Sequence, residues 1–453
     1  MEEKMKIKGL LNGMVMQRDE NNLCQVYFEC DKEIKKVTVN DPFSNPIIEK
    51  CGEKYCLKGI RVGGPYTVAL DDEIFYNIYV GDVWLLTGQS NMQGVGRRVD
   101  IPYNNNDQIR AFYMNGVWDK ANHPMHKMGE AIHKVHLNLG SQPSNFNIKG
   151  VGPGLSFAQK MFDLTAVPQG VIACAHGGTN LYEQWSPERF KYGSDESLYA
   201  ATYDRFLMNG ANCRGIFWYQ GCSDTHPDKD PLYTDNMINL VECFRRDFKA
   251  DLPFVQVQIS RMAWGGYDDR PGHQRWTNIR EQQRTLHEKI DNFDTVNTIS
   301  YRLADCIHLN ADAQEVVGKD AAEAMYCLIY GKLYGCLPGI KLRSMEVLPD
   351  EADENMSYVI LEYDNVHGSL DGGSRAMGFD RAHNDDFPEF CGISDVYCDG
   401  NRVIIRFDYK MEDILNHNLW YGFGKNPSCN INDSHGRSLP AFGPIKIKNQ
   451  KFN

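Results

Sequence analysis

Long apolar runs are missing from this 453-residue chain: nothing approaches the roughly 18 consecutive apolar residues that a membrane-spanning helix needs. The first residues, Met1 to Lys8, hold no apolar stretch of the length a secretory signal requires. None of the fourteen cysteines falls in a Cys-x-x-Cys pair, which argues against a zinc ribbon or a dithiol redox site. Without a secretion signal they read as reduced thiols, many of them buried, in a cytoplasmic protein. His-Glu-x-x-His is absent and the histidines do not fall at ligand spacing, so no metal is expected. The one glycine-dense stretch, Gly150 to Gly154, lacks the preceding strand that a dinucleotide site needs, and no cofactor is expected. Positive charge is also short. With 48 Lys and Arg against 60 Asp and Glu the net charge is −12, spread along the chain, which argues against nucleic acid or an anionic membrane as partner. No internal repeat or low-complexity linker appears.

What is present is more than one hydrophobic core usually serves, so two or three domains are expected. Residues 1–79 read as a small β-domain, with alternating runs such as Cys24–Glu29 and Glu73–Tyr79 between turn clusters. From residue 80 to 338 apolar strands alternate with helical stretches. The strands are expected at Val83–Thr87, Gly170–Ala175, Gly215–Tyr219, Phe254–Ile259 and Thr298–Tyr301. Helices are expected at Leu155–Phe162, Thr234–Phe248, Trp276–Ile290 and Ala311–Tyr330. That order predicts an α/β domain, a parallel sheet with helices on both faces. Residues 339–453 return to short strands and read as a C-terminal β-domain.

In such sheets reactive groups gather beyond the carboxyl ends of the strands. Gly81-Asp82-Val83-Trp84-Leu85-Leu86-Thr87-Gly88-Gln89-Ser90 runs an apolar strand into a sharp turn and sets a serine on it, with its own N–H available to an oxyanion. His176-Gly177-Gly178-Thr179 follows the second strand, and glycine there lets the main chain approach a substrate. Trp218-Tyr219-Gln220-Gly221 follows the third and offers a side-chain amide. Asp305-Cys306-Ile307-His308 follows the last and sets a carboxylate three residues before an imidazole. Acyl transfer needs a nucleophile, a base, a group to orient the base and oxyanion donors. Ser90, His308 and Asp305 fill the first three roles; the Ser90 N–H, Gly177 or Gly178, and Gln220 fill the fourth. Taken singly each has a plainer reading: a turn, a surface ion pair, a tight connection, a satisfied core amide. Together, after four strands in productive order, they point to serine esterase chemistry.

These blocks, Gly88-Gln89-Ser90-Asn91-Met92, Gly177-Gly178-Thr179, Trp218-Tyr219-Gln220-Gly221 and Asp305-x-x-His308, resemble the signature of SGNH-type carbohydrate acetylesterases, closest to the sialate O-acetylesterase family. Trp276-x-x-Ile279-Arg280-Glu281-x-Gln283 is similar to a helix of that family, and segments such as Met14–Arg18, Gly64–Tyr66 and Leu439–Phe442 resemble its flanks. The resemblance implies an SGNH-hydrolase-like, flavodoxin-like core between two β-domains. It also implies removal of O-acetyl groups from a sugar, with Ser90 as nucleophile, His308 as base, Asp305 as orienter and Gly177 or Gly178 with Gln220 at the oxyanion. One position departs from it: the family usually has Gln-Gly-Glu-Ser where this chain has Gln220-Gly221-Cys222-Ser223. A thiol is a poorer acceptor than a carboxylate, which bears on substrate fit and loop rigidity.

The expected partner is an acetylated sugar or oligosaccharide. Acetylated xylan or mannan fragments are the alternative substrate, and a non-catalytic glycan-binding protein on an esterase scaffold is the alternative of another class. Gln89 and Asn91 flank the nucleophile as candidate substrate contacts. Glu183 and Trp185 could offer a hydroxyl acceptor and a stacking ring, with core packing of Trp185 equally open. Arg97, Arg98 and Arg261 are candidates to clamp a sugar carboxylate.

Overall fold

The computed structural model describes residues 5–97, 104–140, 149–265, 268–333, 335–384, 387–415 and 417–452. Its central strands are β1 (Glu73–Gly88), β2 (Ile109–Phe112), β3 (Gln169–Ala173), β4 (Gly215–Tyr219), β5 (Phe254–Val257) and β6 (Phe293–Val296). The main helices are α1 (Gly154–Thr165), α2 (Leu198–Met208), α3 (Tyr233–Phe248), α4 (Arg270–Thr285) and α5 (Ala311–Tyr330). The chain forms two compact units: Met1–Trp218 with Asn239–Phe254, and Tyr219–Ile238 with Val255–Asn453.

In the first unit, strand Leu23–Cys30 turns Cys24, Val26 and Phe28 inward, the period of two expected of a sheet with one face in water. It lies between Ile7–Lys8 and Lys54–Arg61, and Ile47–Cys51 closes that antiparallel sheet. β1 has two consecutive sets of neighbours. Its first part pairs antiparallel with Gly63–Leu70, and Val15–Gln17 runs parallel beside Tyr79–Gly81. Its second part, Asp82–Leu86, runs parallel to β3, and β3 runs parallel to β2. The order Trp118–Lys120, β2, β3, β1, β4 puts β1 between β3 and β4. A parallel strand is covered on both faces, so its sequence is continuously apolar rather than alternating. From Ile78 to Gly96 every residue is buried except Ser90. Phe157 of α1 packs edge-on against Trp84 at 5.4 Å and stacks on Phe217 at 5.0 Å, covering one face of β1 and β4. The one carboxylate in this run, Asp82, is buried and takes two bonds from the Arg18 guanidinium, at 2.9 and 2.8 Å.

In the second unit β5 and β6 are neighbours, and the Gln258 N–H donates to Val296 O at 2.8 Å just beyond them. The strand expected at Thr298–Tyr301 lies at Phe293–Val296 instead. Thr298 and Ser260 spend their hydroxyls on cross-chain carbonyls, Gln258 O and Thr298 O, which satisfies those groups without a ladder. Helix α4 starts at Arg270, six residues before the expected Trp276, because the Asp269 side chain caps it by accepting from the Gly272 N–H. Pro271 in that first turn costs nothing, since its missing N–H has no partner to lose there. Asn310 caps α5 in the same way, through Ala313.

The remainder of this unit is antiparallel β-structure. Ile393–Asp399, Arg402–Phe407, Ser357–Asp364, Lys341–Pro349 and Gln450–Lys451 form one sheet, and Phe379–His383, His417–Tyr421 and Phe442–Lys446 another. Val359, Leu361, Val403, Ile405, Leu419 and Tyr421 fill the core they share. The outcome is an α/β fold with β-structured flanks, as the sequence predicts. Among the described residues no helix is long and apolar enough to cross a membrane, and no disulfide joins the cysteines.

Candidate active site

In the first unit Ser90 stands at the end of β1, on the first residue of the helical turn Ser90–Gln93. It is half-buried while Gln89, Asn91 and Met92 beside it are buried. The turn therefore presents one side chain and hides its neighbours. Gln89 and Asn91, expected as substrate contacts, are each at most 3% exposed.

Gly177 lies against this turn. Its N–H donates to Gln93 Oε1 at 2.8 Å. A Cβ at Gly177 would sit 2.9 Å from that same oxygen and 3.2 Å from Ser90 Cβ, so a side chain there would crowd the serine and its Gln93 partner. Gly178 has φ +73° and open space around its Cα. Of the two glycines, Gly177 has its N–H engaged and Gly178 faces open space.

Behind them lies a group of buried imidazoles that the sequence reading did not single out. His136 Nδ1 is 3.1 Å from His176 Nδ1 and the rings stack at 5.3 Å. Burial drives His176 down to about 4 and His136 well below its ordinary value, so both rings are neutral.

Trp185 is fully buried, donates its indole N–H to Thr179 Oγ1 at 2.9 Å and packs edge-on against Trp218 at 5.0 Å. This corrects the expectation of a sugar-stacking ring: the indole is a core residue that braces the Gly177–Thr179 turn. Glu183 is exposed and accepts from Asn180 Nδ2 at 3.2 Å and Gln184 Nε2 at 3.1 Å. Arg97 ends the short strand Gly96–Arg97, and Arg98 lies outside the described residues.

In the second unit Asp305 and His308 sit on a tight loop closed by a bridge between Leu303 and Leu309 and by the Ala304 N–H to His308 O bond of 2.7 Å. His308 Nδ1 lies 3.0 and 2.9 Å from the two Asp305 oxygens, and the carboxylate also accepts the backbone N–H groups of Ile307 and His308 at 3.0 and 2.9 Å. Burial pushes the Asp305 carboxyl up, but these bonds outweigh it and hold the group down at about 2. The carboxylate thus fixes both the loop and the ring, with Nδ1 turned toward it and Nε2 the atom suited to exchange a proton.

Gln220 is also in this unit, fully buried, and its side-chain amide donates to the Asp224 carboxylate. Its backbone carbonyl accepts from Gln283 Nε2 at 2.9 Å and from the Tyr233 hydroxyl at 3.2 Å. Gly221 follows at φ +141°, where a Cβ would lie 2.9 Å from Gln283 Nε2. Desolvation pushes the Cys222 thiol up to about 12 with Arg280 only partly opposing it, so position 222 carries a neutral group. The carboxylate of this turn stands two residues on, at Asp224, which the sequence reading missed. Arg261 donates to Asn426 Oδ1 at 2.9 Å.

The parallel central strands with their covering helices make this an α/β chain. The chain belongs to the carbohydrate esterase family described as sialic acid-specific acetylesterase, whose sequence model matches residues 80–327. It is 26% identical over 243 residues to the sialate O-acetylesterase of Homo sapiens, a match that covers 45% of this chain and 46% of that protein. The sialate O-acetylesterase of Pongo abelii matches equally, at 26% over 242 residues and 46% of its length. The chain thus spans about half the length of the curated relatives it matches. Its fold is similar to that of a carbohydrate acetylesterase from Xanthomonas citri, with TM-score 0.68, 21% identity, and 97% and 99% of the two chains covered.

Proposed function

We propose that this protein is a serine esterase that removes O-acetyl groups from a sialic acid-type sugar through an acetyl-enzyme intermediate. The observation that carries this reading is the Asp305–His308 pair, in which one carboxylate holds both the ring and the backbone of the histidine at 2.9 Å. Membership of the carbohydrate esterase family supports the substrate class.

In this mechanism Ser90 Oγ attacks the acetyl carbonyl carbon while His308 Nε2 takes the hydroxyl proton. Asp305 stays ionised and stabilises the imidazolium. The tetrahedral oxyanion is met by the Ser90 N–H, by the Gly178 N–H and by the Gln220 side-chain amide. Gly178 takes this role rather than Gly177 because the Gly177 N–H is given to Gln93. His308 then returns the proton to the sugar oxygen, the ester C–O bond breaks and the sugar alcohol leaves. Water, deprotonated by the same imidazole, attacks the acetyl-serine; acetate departs and the proton returns to Ser90. Ester cleavage is chemically easier than amide cleavage, so a site open to water suffices. A cytoplasmic setting is part of the proposal.

The test is acetate release from O-acetylated sialic acid and from acetylated xylo-oligosaccharide at equal concentration. The sialic acid ester is expected to be the better substrate, with Ser90→Ala and His308→Ala each reducing its turnover by at least about 10³-fold. Preference for the xylo-oligosaccharide would overturn the substrate assignment. Full activity in either variant would overturn the mechanism.

A further inference from the structure

Six of the seven tryptophans are buried, and the seventh, Trp264, is 73% exposed. An indole left in water forgoes more apolar burial than any other side chain could supply, so its position calls for a physical account. Trp264 lies on the segment that follows β5, and that segment is tied down at three successive residues. Arg261 donates to Asn426 Oδ1 at 2.9 Å, the Met262 N–H to Lys425 O at 2.7 Å, and the Ala263 N–H to Cys306 O at 2.6 Å. Cys306 is the residue after Asp305 and two before His308. The backbone bond that fixes Ala263 is therefore made to the loop that carries the imidazole, and Trp264 is the next residue along, its Cα about 3.8 Å further. On the other side Gly265 abuts Lys425, where a Cβ would lie 2.9 Å from Nζ. The Lys425 ammonium is paired with Asp269, so its charge is already matched. The indole is thus an exposed apolar plate on a fixed backbone beside the Asp305–His308 loop.

We propose that Trp264 is the platform for the sugar ring, a binding site for a pyranose whose acetyl ester is served by His308; the inference rests on the esterase reading above. A pyranose has a face of C–H bonds, weakly positive, rimmed by hydroxyls. An aromatic ring has a negative face, so the two stack while the hydroxyls stay in water. Because the Ala263 bond fixes the backbone before the ring arrives, little loop entropy is lost on binding.

The experiment compares unsubstituted enzyme, Trp264→Ala and Trp264→Phe on an O-acetylated pyranose and on glyceryl triacetate, an acetyl ester without a ring, with acetate as the readout. Trp264→Ala is expected to lower the ratio of kcat/KM for the sugar ester to that for the triacetate about tenfold, mainly through KM, and Trp264→Phe to recover most of it. Thermal midpoints of all three should coincide, because an exposed side chain contributes little to folding. A ratio unchanged within twofold in Trp264→Ala overturns the platform and leaves the esterase reading standing. Cleavage of triacetate but of no acetylated sugar by the unsubstituted enzyme overturns the sugar assignment, and the platform with it.

Discussion

The Gln220 side-chain amide donates to the Asp224 carboxylate four residues later, and both residues are completely buried. An amide nitrogen has two hydrogens, and fixing one fixes the direction of the other. Asp224→Ala should leave the Gln220 amide unheld and lower kcat about tenfold with little change in KM, while Asp224→Asn, which keeps an acceptor, loses less. Gln220→Ala removes the donor itself and is expected to cost about 10²–10³ in kcat. Full kcat in Asp224→Ala would show that the amide is positioned by other means.

The two adjacent glycines should respond differently to alanine. At Gly177 the added methyl carbon meets Gln93 Oε1 at 2.9 Å and Ser90 Cβ at 3.2 Å, so Gly177→Ala displaces the serine turn and lowers acetate release at least about tenfold. At Gly178 there is room, but φ is +73°, so Gly178→Ala costs roughly 1–2 kcal/mol of backbone strain, seen as a lower melting temperature. Equal activity losses in the two variants would contradict this distinction.

Stability should fall in mild acid. His126, His136 and His176 are buried, and burial holds His126 at about 3, His176 at about 4 and His136 well below its ordinary value. An unfolded histidine protonates near ~6.5, so unfolding takes up protons below that pH. The stabilisation is complete above the unfolded value and is lost as pH falls toward the folded ones, at about 1.4 kcal/mol per pH unit for each ring. Urea unfolding between pH 7 and pH 4 should show this slope, and replacing His136 by Gln should reduce it by one ring's share. A flat profile would contradict it. Asp305, held near 2, stays ionised across the same window.

Arg280 should be a keystone of the second unit. It is buried, and its guanidinium reaches five carbonyl oxygens: Ile259 and Ser260 beyond β5, and Gly422, Gly424 and Lys425 in the C-terminal region. Arg280→Met leaves those acceptors without their donor, at about 1–3 kcal/mol for each that water cannot reach. Loss of at least ~3 kcal/mol in urea unfolding is expected, and a loss under ~1 kcal/mol would contradict the assignment.

Much of this was legible in the sequence because the elements were locally consistent. Strand Gly215–Tyr219 and helix Ala311–Tyr330 have the bounds that the apolar pattern predicts. The Asp-x-x-His spacing gives the observed hydrogen bond because a tight loop returns position i+3 to the carboxylate at i. What escaped was set by tertiary partners. The last strand lies at Phe293–Val296 rather than Thr298–Tyr301, and its polar residues are matched by the fold: Asp294 accepts the Gly339 N–H at 2.8 Å and Thr295 the Gln256 amide at 3.0 Å. The helix expected from Trp276 begins at Arg270, where the Asp269 side chain caps it. Asp224 lies in no motif that the spacing marks. A buried acid four residues after a buried amide is a signal that only the fold of the turn reveals.

The most direct test of the central claim is covalent capture of the nucleophile. A fluorophosphonate esterase probe added to the intact protein, followed by peptide mass mapping, should place one adduct on Ser90. His308→Ala should slow its formation at least about 10³-fold, while Asp305→Asn slows it less. An adduct on another residue, or Ser90 labelling at the original rate without His308, would contradict the account.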